Sequence, residues 1–530
     1  MANDKKAYLI DWIDCRQHKF SRWHGIIWHY AEPAWREYRS AAWYCALLED
    51  LGWDVEKETG GMPTAFRAQW TNGNGPVTGG YAEYDAVPHN CQAASTRPGS
   101  RDGLGENAPG HTDPHSALGM GSLAGFLAAQ AAMKQYDIPG KLVFFGEPAE
   151  KVRGSKPIHA ANGYYDGLDA AISFHPFYMM PLCNTVRWDT HCGAGYNLVY
   201  TFECNDPQTW LSREAGGPIP AAHAASRAPG ANDALMAMYT LSKMNRESIH
   251  STGSCWSMNE AILTAGLATA DNLPARTAQI NYMIRTSTVE MCETAVAVLD
   301  RNADAAAKAS HCTWKRTWVA KSRPGLPNHA MAEATYKNLE LCGPPAMGSE
   351  AVETAREIQK NLGLEPMDAP FFDACSKTIP PKEAEHRLRQ LLPDWVTNFT
   401  SDDYTEFCWH APTVRLYISR PMLAPPGPGY AYPPWVMNAL GGIPCCIDPT
   451  ILSAGKTIGC TILDLLTRKA LLQRARDEFN KRTGGGVGGD RWMAPLCDYD
   501  APVDLAWPEY VTTARGEHLW CVPAANEGLR

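Results

Sequence analysis

The sequence predicts an α/β protein built around a sheet of buried strands. Short apolar runs alternate with helical stretches in the first third of the chain, and polar residues suited to chemistry stand just past those runs. "AAWYCALLEDLGWDVEK" (41–57) reads as a helix running into a strand, and "GPVTGGYAEYDAVP" (75–88) as a strand followed by a loop. "GMGSLAGFLAAQAAMKQY" (119–136) reads as a helix. "GKLVFFGEPAE" (140–150) is an apolar strand ending in acids, and "GLDAAISFHPF" (167–177) is one ending in a histidine. Open α/β sheets place their ligands beyond the carboxyl ends of the strands. Four groups fall there: Asp85, the cluster His111, Asp113 and His115, the pair Glu147 and Glu150, and His175.

Bulk properties narrow the function. A chain of 530 residues exceeds what one core usually holds, so two or more domains are expected. Hydrophobic residues at 45% and charged residues at 20% are ordinary for a soluble globular protein. The net charge of -9 is spread along the chain, and no basic block points to nucleic acid. The N-terminal "MANDKKAYLIDWIDCRQHKF" has no apolar core of a signal peptide. The run "SALGMGSLAGFLAAQAAM" (116–133) is small-residue rich and reads as a buried helix, not a membrane span. The 17 cysteines are odd in number and scattered, which fits free thiols in a cytoplasmic protein. Neither nucleic acid nor membrane is expected as a partner, and the residues at the strand ends are expected to meet a small-molecule substrate.

Each candidate residue also has a structural reading. Asp113 could cap the helix that follows, with Pro114 at its first position. Glu147 and Glu150 could be acids near a helix start, Asp85 a turn residue and His175 a hydrogen-bonded structural histidine. Convergence of all four at consecutive strand ends favours one cleft instead.

The ordered pieces "YAEYDAVP", "GHTDPHSALG", "GEPAEK", "DAAISFHP", "AAHAASRAPGANDAL", "TADNLPARTAQINYMIR" and "SDDYTEFCWHAPTV" resemble the M20 metallopeptidase/amidohydrolase superfamily, nearest its aminobenzoyl-glutamate and amino-acid amidohydrolase branch. The resemblance spans most of residues 20–470. It implies a zinc-peptidase-like catalytic domain with an inserted α+β lid/dimerisation domain. On that pattern residues 1–192 are the first part of the catalytic domain, 193–321 the lid, 322–480 the second part, and 481–530 a Gly-rich hinge and tail. It also implies amide hydrolysis at a two-metal site. Asp113, His115 and His175 fall at ligand positions, with Glu147 as a further ligand and His111 as an alternative. Glu150 falls at the general base, Asp85 at a supporting catalytic position, His223 at the lid histidine, and Asn272 and Arg285 at lid positions facing substrate.

Two residues depart from that pattern. Lys151 stands where a metal-binding carboxylate belongs, and "YPPWVMNALGGIPCCIDP" (432–449) lacks the expected histidine. The expectation is therefore an amidohydrolase with an altered or depleted site. It would hold at most one zinc or manganese ion, or none, with His111 or His410 as a shifted ligand or with Lys151 supplying the charge. A metal-independent lyase or isomerase using Glu150 and Lys151, and a non-catalytic binding protein, are the alternatives. The resemblance further implies a homodimer through the lid, where Leu235, Met238 and Leu241 recur at helical spacing. The aromatic tail beyond "KRTGGGVGGDRW" is expected to dock on the body or on a partner subunit.

Overall fold

The computed structural model describes residues 2–177, 179–206, 227–266, 273–512 and 518–521. Strands are numbered in chain order. The larger sheet contains β1 (Asp54–Lys57), β2 (Phe66–Asn72), β3 (Val77–Ala82), β4 (Gly140–Gly146), β5 (Ala170–Phe177), β6 (Thr185–Val186) and, far along the chain, β11 (Thr413–Ser419). Their order is β1-β2-β4-β3-β5-β11-β6. The centre is parallel: β3 pairs with β4 and β5, and β5 with β11, all in that sense. Central strands are buried along nearly their whole length, which is why they read as apolar runs without alternation.

The helix His115–Tyr136 packs on this sheet and is buried over almost its entire length. It is long and apolar enough to cross a membrane by length and composition alone, yet it forms the core. Its glycines explain its composition. A Cβ on Gly125 would lie 2.7 Å from Ile458 Cβ and 2.9 Å from the Gly455 carbonyl oxygen. The crossing with the helix Pro444–Thr467 therefore requires backbone-to-backbone approach, which only glycine permits.

A second sheet holds β7 (Ala194–Glu203), β8 (Ser257–Thr264), β9 (Thr277–Thr286) and β10 (Thr313–Ser322), antiparallel in the order β10-β7-β9-β8. Two helices, Ala231–Ile249 and Val289–Ala309, cover it and share one apolar core with it. Leu235 and Met238 point into that core and are fully buried, and Leu241 is half-buried. The apolar stripe expected to mark a dimer face is thus the inner face of the insert itself. The outward residues of that helix include Met236, 54% exposed, and Met244, 75% exposed.

The glycine-rich run after the helix Lys469–Thr483 closes on itself. Gly484 takes a left-handed φ of 73°, and the Arg491 amide returns to the Thr483 carbonyl at 2.9 Å. From there the chain runs along the inserted sheet. Arg323 donates to the Met493 carbonyl at 2.7 Å, the Tyr499 hydroxyl accepts from the Lys321 amide, and the Ala506 amide donates to Gln279 Oε1. Leu505 and Trp507 join a cluster with Trp35, Met62, Ala149 and Ile158 of the larger domain and Val199 and Val319 of the smaller sheet. A last hairpin pairs β12 (Glu509–Thr512) with β13 (His518–Cys521). Tail, body and inserted sheet are thereby packed into one apolar contact.

Candidate active site

Past Ala82, the end of β3, the chain remains extended, and residues two apart face the same way. Glu83 and Asp85 both enter the interior, fully buried, while Tyr84 between them turns to the opposite side and donates to the Thr64 carbonyl. The next contribution comes from the start of the helix His115–Tyr136. His115 is fully buried, and its Nδ1 lies 2.7 Å from Asp85 Oδ1. A carboxylate oxygen only accepts, so Nδ1 carries the proton and Nε2 presents its lone pair. His175, on β5, is fixed in the same way: Nδ1–H donates to the Pro176 carbonyl at 2.6 Å. Burial holds His175 neutral, its pKa lowered to about 3.

The turn after β4 completes the group. Ala149 and Arg153 adopt left-handed φ values of 56° and 61°, and these two bends swing Glu150 and Lys151 toward His115. Glu150 Oε2 is 3.2 Å from His115 Nε2, Glu83 Oε2 is 3.3 Å away and Asp113 Oδ2 3.6 Å. The other oxygen of Glu150 is paired with Arg153. The Lys151 ammonium is bonded to Asp113, and its backbone N–H donates to Asp85 Oδ2 at 2.7 Å. Burial opposes the charge on Lys151, but Asp113 and Asp85 hold its pKa above the ordinary lysine value. Burial likewise opposes ionisation of Asp113, but Lys151 together with the neighbouring His175 and His115 outweighs it, placing Asp113 well below the usual carboxylate range.

This arrangement fits a divalent cation. Glu83 Oε2, Glu150 Oε2 and His115 Nε2 are buried, face one another, and have no hydrogen-bond partner. With the Nδ1-protonated tautomer of His115 all three are lone-pair donors, and a cation between them satisfies them together. Ligand atoms from Glu83, His115 and His175 lie within 4.8 Å of one another, as do those of Asp113, His115 and Glu150. Imidazole with carboxylate suits zinc or manganese.

The cluster borders a cleft of about 580 Å³ lined by Asp113, Glu150 and His175 together with Trp256, just before β8, and Arg285 of β9. Arg285 has no hydrogen-bond or ion-pair partner among the described residues, and burial with the nearby Arg153 charge lowers its pKa to about 10.

Several sequence expectations are corrected by these positions. Glu147 is not at the cluster. The turn aims it beneath β4, where it accepts from His159 Nδ1 at 2.8 Å and Tyr165 Oη at 2.7 Å. His111 is buried elsewhere, with Nε2 donating to the Ile27 carbonyl at 3.2 Å. His410 sits between Asp166 and Arg323, away from the cluster. Asp85 faces no cleft space and acts as a positioning residue through His115. Asp113 makes no cap bond, because its carboxylate is drawn to Lys151 instead. His223 and Asn272 lie outside the described residues. Sequence reading did not single out Glu83, Lys156, Asp402 or Asp403. Only Glu83 had a usable signal, its period-two spacing from Asp85.

Asp85→Asn should weaken zinc binding by about 10–100-fold, because the partner that fixes the His115 tautomer loses its charge. Calorimetric titration of chelator-stripped protein with zinc checks this, and unchanged affinity would remove the positioning role.

No profile of a known protein family matches the chain. The chain is 24% identical over 486 residues to a subunit of the p-aminobenzoyl-glutamate hydrolase of Escherichia coli (strain K12), covering 90% of this chain and 95% of that protein. The aminobenzoyl-glutamate utilization protein of Klebsiella pneumoniae shares the fold with a TM-score of 0.52 at 13% identity, covering 86% of this chain and 98% of that one. A putative aminohydrolase from methicillin-resistant Staphylococcus aureus does so at 0.50 and 15%, covering 87% and 100%.

Proposed function

Because the chain belongs to the M20 metallopeptidase/amidohydrolase superfamily, in its aminobenzoyl-glutamate branch, and is an amide-bond hydrolase, we propose that it cleaves the amide of an N-acyl or N-aroyl amino acid in the cleft above His115. The carrying observation is the set of buried, unpartnered lone-pair donors beside a cleft also lined by Arg285, which has no partner among the described residues. Glu83, His115 and His175 would hold a divalent ion, with Glu150 beside it. Such an ion supplies Lewis-acid polarisation of the carbonyl and a lower pKa for attacking water.

The chain's own groups do the rest. Glu150 Oε2 carries no hydrogen bond and can accept the proton of the attacking water and pass it to the leaving nitrogen. Arg153, paired with the other Glu150 oxygen, holds that carboxylate in one orientation. Arg285 offers an anion site for the substrate carboxylate. Trp256, Phe177, Phe399 and Tyr417 supply flat apolar walls for the acyl part.

The test is release of free amino acid from a panel headed by p-aminobenzoyl-glutamate, with N-benzoyl and N-acetyl amino acids, in the presence of zinc or manganese. Arg285→Ala should lower kcat/KM by about 10–100-fold, mostly through KM, since one charged hydrogen-bonding partner is lost. Absence of C–N cleavage across the panel would overturn the reading.

The same reading includes a homodimer through residues 193–321, supported by exposed Met236, Met244 and Ile262 on that segment. The Escherichia coli relative is a subunit of its enzyme, so association with a second kind of chain is the competing assembly. Light scattering of the purified chain distinguishes a dimer from a monomer awaiting a partner. A cytoplasmic location is supported by sixteen free thiols among the described residues.

A further inference from the structure

We propose that the Lys151 ammonium is a built-in second cation, so that the cluster takes one divalent ion per chain and not two. The inference rests on the hydrolase reading only for the presence of a metal; its argument is charge and position.

Six carboxylates converge here: Glu83, Asp85, Asp113, Glu150, Asp402 and Asp403. Four fixed cations are already paired into the group. Lys151 is on Asp113, Arg153 on Glu150, Lys156 on Glu83 and Asp403, and Arg415 on Asp402. His115 and His175 each spend their Nδ1 proton on a neighbour, and burial holds His175 neutral. Carboxylates outnumber these cations by two, an upper bound on the negative excess because burial pushes Asp403 up to about 7, and one divalent ion covers it. A second ion would leave an equal positive excess in a buried site, where charge of either sign is costly.

Position gives the same answer. Two candidate donor sets share His115. In the set of Asp113, His115 and Glu150, an ammonium is already present: Lys151 Nζ bonds Asp113 and lies 3.7 Å from Glu150 Oε2. In the set of Glu83, His115 and His175, the Lys156 ammonium takes Glu83 Oε1, while Glu83 Oε2 and His115 Nε2, 3.3 Å apart, are unpartnered. In the first set Lys151 occupies the Asp113 oxygen, and the second keeps its facing carboxylate and imidazole atoms for the metal. Lys151 is held there from two sides, since its backbone N–H is anchored on Asp85.

The test is metal stoichiometry, read by elemental analysis and by calorimetric titration of chelator-stripped protein with zinc and with manganese. The wild-type chain should bind one equivalent. Lys151→Glu removes the ammonium and adds a donor, so a second equivalent should appear in the isotherm, weaker than the first. Lys151→Gln, closer in shape, should leave one strong equivalent and admit a second only weakly; it carries the test if the glutamate variant does not fold by circular dichroism. Two equivalents in the wild type, none in the wild type, or one in the wild type and in both variants would each overturn the proposal. An inactive chain that binds one ion leaves this inference standing and removes the hydrolase reading. An active chain that binds two does the reverse.

Discussion

Glu150→Gln is expected to lower turnover of an N-acyl amino acid by about 10²–10⁴-fold, the range over which a positioned general base acts. The substitution keeps the size of the side chain, its burial and one acceptor oxygen. It removes the capacity to take a proton, and it removes the negative charge that pairs with Arg153. Glu150 Oε2 has no hydrogen-bond donor of its own, so that oxygen is free for water. Loss through the base is distinguishable from loss of metal. If Glu150 acts mainly on the proton, kcat falls, KM moves little, and the bound ion remains in elemental analysis. If Glu150 acts mainly as a ligand, metal content falls with activity, and raising zinc restores part of it. A variant that keeps most of its activity with its metal in place would remove Glu150 from the reaction.

The legible part of this site is the part carried by local pattern. Asp85, Glu150 and His175 each stand at the end of an apolar run, and a parallel sheet brings such ends together regardless of what lies between them. His115 is legible because it opens a long small-residue helix. Direction within a turn is less visible. Glu147 and Glu150 are three residues apart in one short stretch, yet with the left-handed Ala149 between them Glu147 meets His159 and Tyr165 while Glu150 meets His115. The sequence shows "EPAEK" without showing where the chain bends, since Ala149 and Arg153 are not residue types that announce a positive φ. Least visible are the long-range charge pairs. Lys156 meets Asp403 across 247 positions, and Arg323 meets Glu406 across 83. No spacing rule encodes such partners; they follow from the closing of the sheet by β11.

Lys156→Met is expected to destabilise the fold by about 3–5 kcal/mol near pH 8, the usual cost of removing one member of a buried charge group. Lys156 lies in the first turn of the helix Ser155–Ala161 and is wholly buried. Its Nζ is 2.7 Å from Glu83 Oε1 and 2.8 Å from Asp403 Oδ1, over the face of Tyr81. Burial opposes its charge, but Asp403 and Glu83 raise its pKa well above the ordinary value. A raised lysine contributes stability that is complete below about pH 10 and is lost only as pH climbs through the folded-state value, so in the wild type this contribution is flat near neutrality. Methionine fills the volume and leaves two carboxylates buried without their cation. Asp403 is already pushed up to about 7, by burial first, even with the lysine beside it. Without Lys156 it rises further, and Glu83 is left buried without its ammonium partner. A carboxylate raised in the folded state binds a proton that the unfolded chain releases, so stability falls as pH rises from about 4 toward the folded-state value. The deficit of the variant should therefore be small near pH 5 and largest near pH 8. Urea denaturation of chelator-treated wild type and variant at those two pH values measures it. A deficit equal at both, or below about 1 kcal/mol at the higher, would mean that the lysine is not the counter-ion on which these two buried acids depend.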